Sequence, residues 1–205
     1  PVQIKGPRDA NELGIGMVHQ HFKLVHNFTV TENIVLGLEP GSPFHMNLKG
    51  AQARVKALSE TYGMEIDPTA RIEKITVGMQ QRTEILKMLY RDADILVFDE
   101  PTAVLMPREI DELMQIIRNL ARQGKSIILI THKLKEIKQT ADRCVIIRRG
   151  AVVDTVSVAD TSSQEMADKM VGRQVSFHLE KEAQKPGPCI LRVEGLNVKN
   201  TLGSL

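Results

Sequence analysis

Apolar residues along this chain form short continuous runs and stripes at helical spacing, and the alternation of the two predicts an α/β fold. Short apolar runs at residues 15–18, 95–98 and 126–131 fit strands that are buried in a sheet. Between the second and third runs, apolar residues recur at helical spacing after Pro107 and stop at Gly124, which predicts an amphipathic helix. Buried strands that alternate with a helix are typical of parallel pairing.

Capping residues and glycines mark the ends of the other predicted elements. Thr29–Glu32 and Ser162–Glu165 each match the capping box, so helices are expected to begin there. Arg149-Gly150 lies between two apolar runs and predicts a β-hairpin. Further elements are expected at these positions: helices at about 8–13, 49–62, 79–90 and 134–141, short strands at 2–5 and 189–196, and a loop at 40–43.

Composition and charge narrow the class of protein. Of the 205 residues, 42% are hydrophobic and 25% are charged, as in globular proteins with a sizeable core. A net charge of +2 is too small to favour nucleic acid as a partner. Cys144 and Cys189 lie far apart without metal-ligand spacing, which fits a reducing compartment. No apolar stretch reaches the roughly 18 residues of a membrane span.

Two adjacent carboxylates, Asp99 and Glu100, follow the apolar run at 95–98. Open α/β sheets bind their ligands at the carboxyl ends of the strands. A buried carboxylate also needs a metal, a proton or hydrogen bonds to compensate its charge. The pair therefore suggests a magnesium-nucleotide site, with Asp99 toward the metal and Glu100 toward a water. The alternative is a strand that ends in a solvated acidic turn, and these residues alone leave both open.

A phosphate loop of the form G-x-x-x-x-G-K-[ST] is the motif that a nucleotide enzyme normally needs. Gly124-Lys125-Ser126 matches the end of this motif, but Asn119 stands where the first glycine is required. The fragment also follows a helix and begins a strand, which is the reverse of what a phosphate cradle needs. We therefore interpret Gly124 as the end of a helix. Gly14-Ile15-Gly16 lacks the third glycine of a dinucleotide fingerprint.

Several short motifs occur in a fixed order along the chain. Together they indicate a protein family far more specifically than any one of them does. They are, in order, Gln20, ITVGMQQR at 75–82, Asp99-Glu100, Ala103-Val104-Leu105 and ITH at 130–132. With these motifs the chain resembles the ATP-binding subunit of an ATP-binding-cassette (ABC) transporter over about residues 1–175. It is similar to the tandem-cassette subunits of simple-sugar and nucleoside importers. Residues 77–82 and 130–137 resemble the nucleoside branch of this group.

This resemblance implies an α/β fold with the RecA-like core of P-loop NTPases and an inserted α-helical subdomain. The strand before the phosphate loop, the Walker A loop itself and the aromatic residue that stacks on adenine would lie before Pro1. The N-terminal part of the domain is therefore expected to be missing from these residues. The implied organisation is an incomplete first cassette at 1–174, a linker at 175–188 and the start of a second cassette at 189–205. Within the first cassette, the core would comprise 1–27 and 89–174, and the helical subdomain with the signature motif would comprise 28–88.

The resemblance also assigns roles to the residues at the strand ends. Asp99 would hold Mg²⁺, directly or through water. Glu100 would act as the general base toward the attacking water, and His132 would contact the γ-phosphate of ATP. Gln20 would reach the metal and the water and link the site to the membrane subunit. The catalytic candidates are thus Glu100, His132 and Gln20, and the metal candidates are Asp99 and Gln20.

A second set of residues would bind the ATP that the opposite cassette holds. By resemblance, this signature loop contains Thr76, Val77, Gly78 and Gln80. A loop of this kind at a helix N-terminus favours an anion through its backbone N–H groups. The chain departs from the family pattern at Val77 and Met79, and Met106 replaces the usual Asp of the loop that crosses the dimer seam.

The function implied is that of the ATP-binding and ATP-hydrolysing subunit of an ABC importer for nucleosides or simple sugars. ATP and Mg²⁺ would be its cofactors. Its partners would be transmembrane permease subunits, a second cassette in the same chain or in a homodimer, and indirectly an extracytoplasmic substrate-binding protein. Nucleic acid is not expected as a partner. The subunit would lie at the cytoplasmic face of the membrane. A truncated, inactive cassette fragment and a non-transport ABC ATPase remain open. Without a Walker A loop, these residues alone are expected to bind ATP weakly or not at all.

Overall fold

Seven α-helices and seven strands form the described part of the chain, which comprises residues 2–42, 45–174 and 187–197 of a computed structural model. The helices are α1 (Pro7–Glu12), α2 (Val30–Val35), α3 (Leu48–Thr61), α4 (Val77–Tyr90), α5 (Pro107–Arg122), α6 (Leu134–Thr140) and α7 (Ser163–Val171), with a 3-10 turn at Ile72–Lys74. The strands are β1 (Ile15–Val18), β2 (Gly41–Ser42), β3 (His45–Met46), β4 (Ile95–Asp99), β5 (Ser126–Ile130), β6 (Arg143–Arg148) and β7 (Ala151–Ser157).

The central sheet contains three strands in the order β1-β4-β5, and both pairs are parallel, as the sequence predicts. Val18 lies opposite Phe98, and Asp99 lies opposite Ile130. The three strands therefore end at the same edge of the sheet. This edge is the place where an open α/β sheet binds ligands.

One continuous core joins this sheet to the helices on it. Val18, Ile34, Leu86, Phe98 and Met114 are completely buried in it. Helix α4 approaches β1 closely, because a Cβ atom on Gly16 would lie 2.8 Å from the side chain of Met88. Helix α4, which begins at the predicted signature loop, is thereby packed directly against β1, the strand that precedes Gln20.

Helix α2 begins with the predicted capping box, and helix α7 begins at the predicted cap Ser162. The hydroxyl of Thr29 accepts a hydrogen bond from the backbone N–H of Glu32 at 3.2 Å, and the Glu32 carboxylate accepts one from the N–H of Thr29 at 2.7 Å. These bonds to Thr29 lower the pKa of Glu32 below its ordinary value. The hydroxyl of Ser162 accepts from the N–H of Glu165 in the same way. Both predicted helix starts are confirmed.

Strands β6 and β7 form the predicted antiparallel hairpin. Arg149 and Gly150 connect them with positive φ angles of 52° and 77°. Positive φ at both central residues is what a tight two-residue hairpin turn requires. A separate small core, which includes Ile146 and Met166, packs this hairpin against α6 and α7.

Four sequence predictions for residues 2–174 need correction. Residues 2–5 form no strand, the predicted loop at 40–43 contains β2, and α4 begins at Val77 rather than at 79. Strand β5 was predicted to be buried, but its residues alternate between exposed and half-buried, and Ile128 and Ile130 are 52% and 47% exposed. The apolar run signals a strand correctly, but burial depends on whether another element covers both faces.

The described residues divide into two units, one within residues 2–174 and the other within residues 187–197. The predicted linker lies mostly outside the described residues, and so do residues 198–205. The predicted strand at 189–196 is wrong, because these residues form no regular element and Ile190 and Leu191 are 97% and 79% exposed. The interactions described for this segment are local, such as the 2.6 Å ion pair of Arg192 with Glu194. Its assignment to a second cassette and the finer division of 1–174 stay predictions.

Candidate functional site

Three predicted catalytic side chains follow the three neighbouring strands of the sheet. Gln20 comes two residues after the end of β1, His132 comes two residues after the end of β5, and Glu100 directly follows β4. Since the three strands are parallel and in register, these residues emerge at one edge. The sheet thus gathers residues that are up to about a hundred positions apart in the sequence.

Glu100 and His132 are in direct contact. Oε1 of Glu100 lies 3.2 Å from Nδ1 of His132. Because a carboxylate can only accept, the hydrogen bond requires the proton to be on Nδ1. Nε2 of His132 is then left to serve another group, and 67% of this side chain is exposed. The Glu100 side chain is less exposed, at 34%, so the pair forms a carboxylate–imidazole unit that is open to a ligand on one side.

The backbone at Glu100 is held in an unfavourable conformation. Its φ angle is +43°, in the left-handed region that non-glycine residues rarely adopt. The N–H of Glu100 donates to the carbonyl of Ile130 at 2.9 Å, so the neighbouring strand holds this turn in place. Strain of this kind costs on the order of 1–3 kcal/mol and clusters at functional sites. With this turn in place, the Glu100 side chain contacts His132.

Asp99 ends β4 beside Glu100 and is half-buried. Within the described residues there is no cluster of three or more His, Cys, Asp or Glu side chains that could enclose a metal ion. The protein can thus supply one or two carboxylates at this edge. Mg²⁺ is commonly bound in this way, by one or two carboxylates together with waters and the phosphates of a substrate. The donor set fits a magnesium ion that is shared with a nucleotide.

The predicted signature loop forms the N-terminus of α4. The hydroxyl of Thr76 accepts a hydrogen bond from the N–H of Met79 at 3.3 Å and caps the helix. Thr76 and Val77 are exposed and Gly78 is half-buried, so the loop backbone can be reached by a ligand. The Gln80 amide instead donates to the carbonyls of Ile72 and Ile75, both at 3.4 Å. In this structure Gln80 supports the preceding turn, and its contact with ATP stays a prediction.

Gly78 lies against the side chain that caps the next helix. A Cβ atom at this position would lie 2.5 Å from Oε1 of Glu109. Oε2 of Glu109 accepts a hydrogen bond from the N–H of Met106 at 3.0 Å, at the start of α5. The absence of a side chain at Gly78 therefore lets the signature loop and the cap of α5 pack together.

We expect the Gly78→Ala substitution to lower the free energy of unfolding by less than about 0.5 kcal/mol, because displacing Glu109 from its cap costs about 1 kcal/mol and offsets the gain in helix propensity. In a Glu109→Ala background the same substitution should instead stabilise the protein by about 0.5–1 kcal/mol, since alanine favours the helix more than glycine does. Urea denaturation of the four proteins measures both effects. Equal effects in the two backgrounds would refute the close packing.

A second contact joins helix α4 to the segment after Gln20. The carboxylate of Glu84, whose side chain is 7% exposed, accepts a hydrogen bond from the N–H of Lys23 at 2.6 Å. Nζ of Lys87 donates to the carbonyl of Lys23 at 3.4 Å. One helix therefore carries the signature loop at its start and holds the Gln20 segment near its middle. The sequence offered no signal for this contact, because a glutamate inside a helix is usually on the surface.

Sequence reasoning also missed a polar cluster around the buried Glu136, on the two loops that carry Glu100 and His132. Glu136, Thr102 and Thr131 share hydrogen bonds there. Thr131 belongs to the motif at 130–132 and Thr102 lies between two of the predicted motifs, but nothing in the pattern marks Glu136 as buried. An acidic residue in the first turn of a helix is ordinarily solvated and favours the helix dipole.

The fold and the strand-end site together define an ATP-binding cassette, and the chain belongs to the ABC transporter family. A family model described as ABC transporter matches residues 3–103. The structure also matches that of the ATP-binding cassette MJ0796, determined as a dimer bound to ADP and Pi, with a TM-score of 0.61 over 76% of this chain and 68% of that chain. At 22% identity, this likeness shows the fold alone.

Two curated relatives place the chain within the family. The nucleoside import ATP-binding protein NupA of Lactococcus lactis and the guanosine import ATP-binding protein NupO of Bacillus subtilis are each 57% identical to it over 202 residues. The alignments cover 98% of this chain and 40% of each relative. The chain therefore spans less than half the length of the curated relatives it matches. Among the described helices, none has the length and apolarity needed to cross a membrane.

Proposed function

We propose that this chain is part of the ATP-hydrolysing subunit of a nucleoside importer. The observation that carries the proposal is the contact of Glu100 with His132 next to Asp99, at the carboxyl edge of a cassette fold. A carboxylate that is held beside an imidazole and a metal-binding carboxylate suits hydrolysis of a phosphoanhydride. The nucleoside assignment is supported by the 57% identity to two import proteins whose names specify nucleosides or guanosine.

Each strand-end residue has a role in this proposal. Glu100 accepts a proton from the attacking water, and its strained turn keeps the carboxylate in place. His132 uses Nδ1 to bind Glu100 and directs Nε2 to the γ-phosphate. Asp99 and Gln20 supply oxygen atoms for Mg²⁺, which when bound neutralises phosphate charge. Glu100 and His132 share one hydrogen bond, so the water and the phosphate are positioned by a single unit.

The assembly follows from the exposed signature loop. Thr76, Val77 and Gly78 present backbone at the N-terminus of a 14-residue helix, where an anion is favoured. We assign this loop to the ATP of an opposite cassette, in the same full-length chain or in a homodimer. Permease subunits then contact the segment after Gln20, which Glu84 ties to α4. The subunit would act at the cytoplasmic face of the membrane and receive substrate through a binding protein.

Transport by cells tests the substrate class. In a strain from which the gene has been deleted, uptake of radiolabelled guanosine and of ribose is measured after the full-length protein is restored with its permease subunits. We expect guanosine uptake to return and ribose uptake to stay unchanged. An Asp99→Asn version, which loses a metal ligand, should restore neither.

Recovery of ribose uptake alone would overturn the nucleoside assignment and favour a sugar importer. ATP hydrolysis without association with any permease would favour a non-transport ATPase.

A further inference from the structure

Glu136, in the first turn of α6, is a buried carboxylate with two hydroxyl donors. The residue is only 2% exposed. Its Oε1 accepts a hydrogen bond from Oγ1 of Thr102 at 2.5 Å, and its Oε2 accepts one from Oγ1 of Thr131 at 2.7 Å. Nζ of Lys133 lies 3.4 Å from Oε1 and compensates the charge. Each carboxylate oxygen therefore binds a different segment of the chain.

The two hydroxyl groups are also fixed in direction. Oγ1 of Thr102 accepts from Nζ of Lys133 at 2.8 Å and donates to Glu136. Oγ1 of Thr131 accepts from the backbone N–H of Lys133 at 3.1 Å and donates to Glu136. Nζ of Lys133 donates in addition to the carbonyl of Thr102 at 3.1 Å. A buried network in which every member is satisfied defines one geometry, and removing one member leaves its partners unpaired.

The two segments that Glu136 binds are those that carry Glu100 and His132. Thr102 is two residues after Glu100, and Thr131 immediately precedes His132. Glu100 and His132 meet at 3.2 Å on the exposed side of this network. Glu136 thus holds the loop after β4, which carries Glu100, and the loop after β5, which carries His132, at a fixed separation.

Stability alone is a weak reason to bury this charge. A buried ion pair contributes little compared with apolar side chains of the same volume, although breaking it is costly. The bonds of Glu136 instead join the loop after β4 to the loop after β5, alongside the bond of the Glu100 N–H to Ile130 and those of Lys133 to Thr102. We infer that Glu136 is a positioning residue, which sets the distance and orientation of Glu100 and His132. The inference rests on the proposed function, since that function makes this pair catalytic.

Steady-state kinetics of the full-length protein in complex with its permease subunits test the inference. A Glu136→Gln change keeps the side-chain size but places an N–H₂ group against one hydroxyl. We expect kcat for ATP to fall by about 10²-fold, as for a displacement of roughly 1 Å at the chemistry, and KM for ATP to stay unchanged. Thr131→Val removes one donor with little change in shape and should act in the same direction. A purely structural role would lower the amount of folded protein but leave its kcat unchanged.

Thr140→Val is the matched control. Its hydroxyl donates to the backbone carbonyl of Glu136 at 2.7 Å, on the same helix but outside the carboxylate network. We expect its kcat to equal that of the wild type. Wild-type kcat in folded Glu136→Gln protein would overturn the inference. If that variant does not fold, the kcat of Thr131→Val decides in the same way.

Hydrogen exchange separates this inference from the proposed function. If the wild-type complex hydrolyses no ATP, the proposed function fails, whatever Glu136 does. The amide of Glu100, which binds the carbonyl of Ile130, then reports on the positioning by itself. Faster exchange of this amide in Glu136→Gln or Thr131→Val than in Thr140→Val supports the link between the loops. Equal protection in all the proteins would overturn it.

Discussion

Replacing Glu100 by Gln is expected to lower the rate of ATP hydrolysis by the full-length complex by about 10²–10⁴-fold, the usual contribution of a general base. The carboxamide has nearly the same shape but cannot take a proton from water. Its oxygen can still accept from Nδ1 of His132, so the 3.2 Å contact and the strained turn have no reason to change. ATP binding should therefore persist. Phosphate release measures turnover, and retention of radiolabelled ATP measures binding.

A Glu12→Gln variant is the control for Glu100→Gln. Glu12 is an exposed residue at the end of α1, outside the strand-end site. The change removes the same charge there, so hydrolysis and binding should both equal those of the wild type. If Glu100→Gln protein retained its turnover, Glu100 would lose its assignment as the base. Loss of ATP binding together with turnover would instead assign Glu100 to nucleotide or metal binding.

Replacing Phe98 by Ala is expected to lower the free energy of unfolding by about 3–5 kcal/mol, the usual effect of truncating a fully buried phenylalanine. Phe98 is completely buried in the main core and pairs with Val18 across the sheet. It also directly precedes Asp99 and Glu100. Since a whole domain is stable by only about 5–15 kcal/mol, this loss is a large fraction of its stability. Urea denaturation at 25 °C measures the loss.

Val152→Ala is the comparison for Phe98→Ala. Val152 is 64% exposed on β7, so its truncation should change the free energy of unfolding by less than about 0.5 kcal/mol. A similar small loss at Phe98 would show that β4 is not anchored in the core as described. The core packing of Phe98 would then not explain how Asp99 and Glu100 are held at the end of β4.

The apolar pattern predicted most elements of the fold. The run at 95–98 and the helical stripe after Pro107 each became the expected element, and the Arg149-Gly150 hairpin formed where its turn residues indicate. Such features depend on a few neighbouring residues. Helix α4 began two residues early, because Thr76 caps it through the N–H of Met79. A threonine before a valine and a glycine is a weak start signal, and the hydrogen bond that makes it a cap is visible only in three dimensions.

The apolar pattern failed where burial depends on neighbours. Residues 126–130 and 189–196 are comparably apolar, but only the first segment has a partner strand, β4. Ile190 is almost fully exposed, and even in β5 Ile128 is half exposed. An apolar run shows that a segment can lie in a sheet. Which strand pairs with it, and what covers its faces, is decided by the rest of the structure.

The sequence by itself determined the α/β class, the order of the motifs and the presence of carboxylates and an imidazole at strand ends. These features are local, since they follow from residue types at short spacing. Only the tertiary structure decided that Glu100 touches His132, that the turn at Glu100 is strained, and that Glu136 binds the loops that carry this pair. The contacts of Glu100 with His132 and of Thr102 with Glu136 join residues 32 and 34 positions apart. The parallel register of the sheet and the packing of α6 bring them together, and no short-range pattern records either.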